Sequence, residues 1–289
     1  SSSHDGGFLA ETIAETQSAD GTSLPRRVAL CIEELLADAH LSGSDVAGVG
    51  IGVAGAVDPS GGELELAPNL EGVRPSEIRA EIARTIAAPV FFDNDVNLAV
   101  LGEWVDGHAR GLSDFVFIAV GTGIGMGIVA GGQVIVGTRH AAGEIGFLPF
   151  GADPFDEKSH VHGALEEVAA GDEIAARYRQ SSGSDVTTRD VFDLAEQGDP
   201  AAAASLEIEA KNVALAIASV RAVLDPSLVV LGGGVGARPE MLARVTPWLL
   251  RLGCDDLDVR TSLLGSAASV RGAIEIASRQ PDRREITNA

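Results

Sequence analysis

Apolar residues recur at three- and four-residue spacing along several stretches, and each such stretch predicts a helix. Val28, Ile32, Leu35 and Leu36 share a face over residues 27–40. Ile78, Ile82 and Ile86 fall in line over 76–87, with Ser76 as the expected N-cap. Residues 165–178, 188–196, 239–252 and 267–279 read as further helices. The longest covers 201–224, where Leu206, Val213, Ile217, Val220 and Leu224 lie near one side and Asp225-Pro226 stops the pattern. Between the helices stand short apolar runs without helical period, which predict buried strands. The runs 90–92 and 228–231 are of this kind, and 46–57 is a strand interrupted by glycine before a tight loop. Residues 115–120, 124–130 and 133–136 form a meander, with Gly131-Gly132 as its hairpin turn. Residues 8–16 suggest an edge strand, and the polar, glycine-rich 1–7 a frayed end. Strands alternating with helices indicate α/β layers.

Composition narrows the class. The chain has 289 residues and a hydrophobic fraction of 45%, enough for one or two domains with a real core. A linker at 107–112 suggests a boundary, with one α/β lobe over 1–107 and another over 108–266; the helix at 267–280 is expected to pack back on the first. The net charge of −21 argues against nucleic-acid binding by this chain, which would need a basic face. No apolar run reaches membrane-spanning length, and a cytoplasmic location is expected. Cys31 and Cys254 are the only cysteines, too few and too scattered for a disulfide framework.

Candidate chemistry sits where strands end. After the apolar run 90–92 come Asp93-Asn94-Asp95, and then Val96, Ala99, Val100 and Trp104 at helical spacing. Carboxylates and an amide at a helix start suit capping, because they accept from free N–H groups. They equally suit holding a polyol and taking a proton from one hydroxyl. Gly121-Thr122-Gly123-Ile124-Gly125 follows the strand 115–120. Its glycines and the Thr122 hydroxyl fit a phosphate-binding turn or a plain tight hairpin; no Lys follows, so it is not a Walker loop. Leu231-Gly232-Gly233-Gly234 is either a ligand turn or a strand-to-helix turn, and Gly143-Glu144-Ile145-Gly146 follows the meander.

Together these motifs resemble the ROK family (repressors, open reading frames and sugar kinases), over nearly the whole chain. The resemblance implies an actin-like ATPase fold of the sugar-kinase, RNase H-like kind, with two α/β lobes around a cleft. It implies that Asp95 is the general base for a sugar hydroxyl. Gly55, Asn69, Asn94, Asp95, Glu144 and Glu166 (in Gly163-Ala164-Leu165-Glu166) would bind the sugar. Gly121, Thr122, Gly123 and Gly125 would hold ATP phosphates, and Gly233 and Gly234 the adenosine side. A homo-oligomer, commonly a dimer, is implied as well.

Three departures from the family pattern stand out. The opening Asp-x-Gly-Gly-Thr strand of the kinases has no counterpart here, since Asp5-Gly6-Gly7-Phe8 aligns with the turn after it. The family's structural zinc site is excluded: its His position is Phe147, and no Cys occurs between Asp114 and Arg251. His160 and His162 are too few for a closed site, so the loop 147–162 is expected to be held by packing through Leu148, Phe150 and Phe155. Ala54 stands where the family often has Pro. The stretch from Leu148 to Asp156, followed by Gly163-Ala164-Leu165-Glu166, resembles zinc-less members of the family, which are mostly transcriptional regulators. The favoured expectation is therefore a sugar-sensing effector domain of a transcriptional regulator, reaching DNA only through a helix-turn-helix upstream of Ser1. The alternative is a sugar kinase that uses ATP and Mg²⁺, with Asp95 as base.

Overall fold

The computed structural model describes residues 7–15, 21–57, 64–65 and 73–278. In chain order it contains α1 (Leu24–Asp38), β1 (Val49–Val53), β2 (Ala56–Val57), β3 (Leu64–Glu65), α2 (Pro75–Ile82), β4 (Val90–Asn94) and α3 (Asp95–Asp106). Then follow β5 (Phe115–Val120), β6 (Ile124–Ala130), β7 (Gln133–Val134), α4 (Glu157–His162), α5 (Gly171–Ser182), α6 (Thr188–Glu196) and α7 (Pro200–Leu224). The described chain closes with β8 (Val229–Gly232), α8 (Gly233–Gly236), α9 (Pro239–Arg251), β9 (Val259–Thr261) and α10 (Ala268–Ser278).

The central sheet has the order β7-β6-β5-β8-β9. β5, β6 and β7 are the antiparallel meander, while β8 and β9 join parallel to β5 and to each other. Side chains alternate across a strand, and here each face has its own core. Val116, Ile118 and Val120 of β5 join Val229 and Leu231 of β8 against α5, α6, α7 and α9. Phe115, Phe117 and Val230 point the other way, against Ala99 and Val100 of α3. The turn between β6 and β7 is Gly131-Gly132, both at positive φ, as a two-residue hairpin of this hand requires.

A smaller parallel pair, β1 and β4, runs in register from Val49 opposite Val90 to Val53 opposite Asn94. Its cover is the cluster of Leu36, Ile78, Ile82 and Ile86, with Val28, Ile32, Val49 and Phe92 packed on it. Helix α10 lies between the two sheets, against β1 and α3. The approach is backbone on backbone. A Cβ on Gly272 would stand 1.9 Å from the Leu98 carbonyl oxygen, and one on Gly102 would stand 2.1 Å from that of Ala268. No larger residue fits either position without moving a helix.

Several elements differ from expectation. α2 starts at Pro75, with Arg74 rather than Ser76 at the N-cap. Proline suits the first helical position because its missing N–H would be unpaired there anyway. The helix ends at Ile82; Ala83–Thr85 makes a looser turn that still buries Ile86. The segment from Leu165 does not start a helix; α5 begins at Gly171. The Leu165 and Glu166 N–H groups instead donate to the Gly146 carbonyl, which ties this turn to the preceding loop. Residues 8–15 form no strand beyond a single bridge at Phe8. Phe155 is 86% exposed and does not hold its loop; Leu148 and Phe150 do pack on the core, and α4 supplies local order.

Candidate active site

β4 delivers three polar side chains to the start of α3. Asn94 is the N-cap: its Oδ1 accepts from the N–H groups of Val96 (2.8 Å) and Asn97 (3.1 Å). Its Nδ2 donates to the Gly55 carbonyl at 3.1 Å, so the amide also clamps the turn after β1. Asp93 accepts from the Asn94 N–H (2.7 Å) and from Asn97 Nδ2 (3.1 Å). Capping is thus established for Asn94. Asp93 is spent on fixing the same turn.

Asp95 differs from both. No other side chain hydrogen-bonds to its carboxylate among the described residues, and burial pushes its pKa above the ordinary carboxylate range. Asp95 lines a cleft of about 640 Å³. Glu144 is raised for two reasons, burial first and then the negative charges of Glu166 and Asp95. Glu144 therefore stands within electrostatic reach of both Glu166 and Asp95. Asp95 and Glu144 keep their protons to higher pH than free side chains do.

Glu166 reaches this group through backbone. The Gly146 carbonyl accepts from Leu165 and Glu166, which draws Glu166 to the loop that carries Glu144. Glu166 Oε2 in turn accepts from the Ile124 N–H at 3.0 Å. A Cβ on Gly123 would stand 2.6 Å from that same oxygen, so Gly123 is needed to let the carboxylate in. Glu166 thus braces the glycine turn as well as the carboxylate cluster.

The two glycine turns face each other. A Cβ on Gly121 would stand 3.7 Å from the Gly234 nitrogen. The Gly121 carbonyl accepts from the Gly171 N–H at the start of α5. Thr122 is exposed, and its hydroxyl has no partner among the described residues. The three consecutive glycines after Leu231 serve three purposes. A Cβ on Gly232 would strike the Phe117 ring. Gly233 has φ +78°, and a Cβ there would lie 2.4 Å from the Val120 carbonyl oxygen. Gly234 has open space around it. Gly233 and Gly234 line the same cleft as Asp95, with Arg238, Ser266 and Ser269 on its walls. Glu144, Glu166, Gly55 and the turn at 121–125 do not line it. Asn69 lies outside the described residues.

Glu103 was not foreseen. It is fully buried on α3 and accepts from the N–H groups of Leu264 (3.2 Å) and His108 (3.0 Å) and from the Ser262 hydroxyl. It binds the helix that begins with Asp95 to the loop after β9, on the far wall of the cleft. A lone Glu inside an apolar helical pattern carries no local sign of this, because Ser262 and Leu264 lie about 160 residues away.

His160 and His162 are exposed, and the described residues contain no group of three side chains able to hold a metal. No described helix is long and apolar enough to cross a membrane.

A five-stranded mixed sheet, a parallel pair beside it and a cleft lined by Asp95 and the Gly233-Gly234 turn define a protein of the actin-like ATPase fold, as in sugar-kinase structures. The chain belongs to the ROK family, whose model matches residues 10–280. A glucokinase from Halalkalibacterium halodurans is 30% identical over 296 residues, covering 94% of this chain and 89% of the relative. The crystal structure of a ROK hexokinase from Thermus thermophilus has a TM-score of 0.74 at 29% identity, covering 92% of this chain and 89% of that one. A ROK glucokinase from Streptomyces griseus, solved in complex with glucose and AMPPNP, also has a TM-score of 0.74, at 25% identity over 90% of this chain and 88% of that one.

Proposed function

We propose that this chain is an ATP-dependent sugar kinase rather than the effector domain of a regulator. The observation that carries the reading is that Asp95 and the Gly233-Gly234 turn line one cleft. A buried carboxylate free of side-chain partners is suited to take a proton, and open backbone N–H groups are suited to take phosphate oxygens. The relatives described above are named as a glucokinase, a hexokinase and a glucokinase bound to glucose and a nucleotide analogue. They support the kinase reading over the regulator expectation.

In this reading Asp95 takes the proton of a sugar hydroxyl as its oxygen bonds to the γ-phosphorus. The bond between that phosphorus and the β,γ-bridging oxygen breaks, and ADP leaves. Glu144 and Glu166 supply acceptors for the other hydroxyls, and Thr122 and the open N–H at Gly234 donors for phosphates. Transfer of this kind depends on positioning and charge neutralisation. With no three-ligand cluster among the described residues, Mg²⁺ would rest chiefly on the nucleotide's phosphate oxygens and water. We place the lobe boundary at 107/108, with α10 packing back on the first lobe; its seat on β1 and α3 supports this.

The test is ADP release by this chain with a panel of aldohexoses and N-acetylhexosamines, alongside calorimetric sugar titration. ADP release that depends on sugar and is lost in Asp95→Asn is the expected result. Sugar binding with no ADP release overturns it in favour of a sensor.

A further inference from the structure

Arg238 is the one arginine on the cleft wall, and none of its guanidinium nitrogens has a hydrogen-bond or ion-pair partner among the described residues. Several other partly buried arginines are matched with carboxylates, Arg177 with Glu209, Arg221 with Asp256 and Arg271 with Asp106. Arg79 instead rests on the Phe92 ring and the Val90 carbonyl, and Arg27 has a buried nitrogen without a partner among the described residues, both away from the cleft. A guanidinium carries five N–H donors and always a charge, so one without an acid on the wall of this cleft has its donors and its charge available to a ligand there.

Its orientation narrows the ligand. The guanidinium carbon lies over the ring of Phe192 on α6, 4.2 Å from its centroid. Phe192 is itself buried. Arg238 occupies the N-cap of α9, and Pro239 behind it fixes the chain's exit. The guanidinium is thus backed by a buried ring while the residue borders the cleft. Guanidinium planes stack readily on flat π-systems. Glu240 lines the cleft two residues on. Its carboxylate opposes a phosphate at this position but would accept from a base's exocyclic amine.

Resting on the reading of this cleft as a nucleotide site, we propose that Arg238 is the platform for the purine base, which layers on the guanidinium as the guanidinium layers on Phe192. Phosphates then belong to the backbone turns, and the base to this side chain. Arg238 is a binding residue remote from the transferred group.

The test titrates the whole chain with ATP, adenosine and inorganic tripolyphosphate, comparing wild type with Arg238→Met and Arg238→Lys. Methionine keeps an apolar cover on Phe192; lysine keeps the charge and loses the plane. Melting temperature and sugar binding report folding. A stacked cation of this kind predicts about three- to thirty-fold weaker ATP and adenosine binding in Arg238→Met. Tripolyphosphate affinity should not change, Lys should not restore the base, and KM for ATP should rise with kcat little altered. Equal weakening of all three ligands makes Arg238 a phosphate contact and overturns the inference alone. Unchanged ATP binding in a folded variant does the same. A wild-type chain that binds sugar but no nucleotide overturns the nucleotide reading, and the inference with it.

Discussion

The two ends of the cleft are built on opposite principles. At the Asp95 end, function is carried by side chains: an amide that caps, a carboxylate that braces and a carboxylate left free. At the Gly233-Gly234 end it is carried by the lack of side chains, so that backbone is exposed where a ligand can reach it. The first end is sensitive to charge and pH, the second to volume and φ. Substitutions that are conservative at one end are therefore severe at the other.

The largest effect separating the two belongs to Asp95→Asn. It keeps shape and removes the base, and a general base contributes roughly 10²–10⁴-fold in rate. We expect kcat for ADP release to fall by about that factor with nucleotide affinity unchanged. An equal loss of ATP affinity would mean that the two ends are not separable.

The pH responses should differ next. Protonation of Asp95 removes the base, so turnover should fall as pH is lowered through a point above the ordinary carboxylate range. Wild-type turnover that stays flat down to the free-carboxylate range would contradict the burial argument. Away from the cleft, Glu209 gives a stability readout of the same physics. Burial pushes its pKa up to about 7 despite the Arg177 guanidinium 2.7 Å away. A group whose folded pKa is raised contributes stability that is full below its ordinary value of 4.5 and lost as pH rises through about 7. The contribution is on the order of 3 kcal/mol at most. Melting temperature should decline between pH 5 and 8, and Glu209→Gln should flatten that decline.

Volume should decide the glycine end. Gly233→Ala places a Cβ 2.4 Å from a carbonyl oxygen at a positive φ, and should cost about 1–3 kcal/mol of stability together with ATP affinity. Gly234→Ala meets no protein atom within 4 Å. It should leave stability within about 0.5 kcal/mol of wild type and weaken ATP binding alone. If both variants melt alike, the division of labour between these glycines is wrong.

What was legible in the chain followed the same division. Local patterns were readable: the helical face over 188–196 matches α6 residue for residue, α7 differs by one position, and the Gly131-Gly132 turn is where alternation placed it. Asn94 was readable as a cap because its partners are two and three residues away. Features set by distant backbone were not. The delay of α5 to Gly171 depends on the Gly146 carbonyl, and β9 has too short an apolar run to signal a strand. Glu103 and Arg238 were missed because their partners come from other elements of the fold. The convergence of Asp95, Glu144 and Glu166 entered only through family resemblance, since no spacing along the chain encodes it.

The seat of α10 has a consequence for how the protein is made. Ser269 Oγ donates to the Asp95 carbonyl at 3.0 Å, and the glycine contacts between α3 and α10 leave no room for a substitute. A chain emerging from the ribosome carries Asp95 about 170 residues before its brace. During synthesis the central sheet can assemble while the strand end that carries Asp95 still lacks its last neighbour. Competence then arrives in one late step, when α10 docks, and a nascent chain stalled before residue 268 would hold a nearly complete core and an unfinished site.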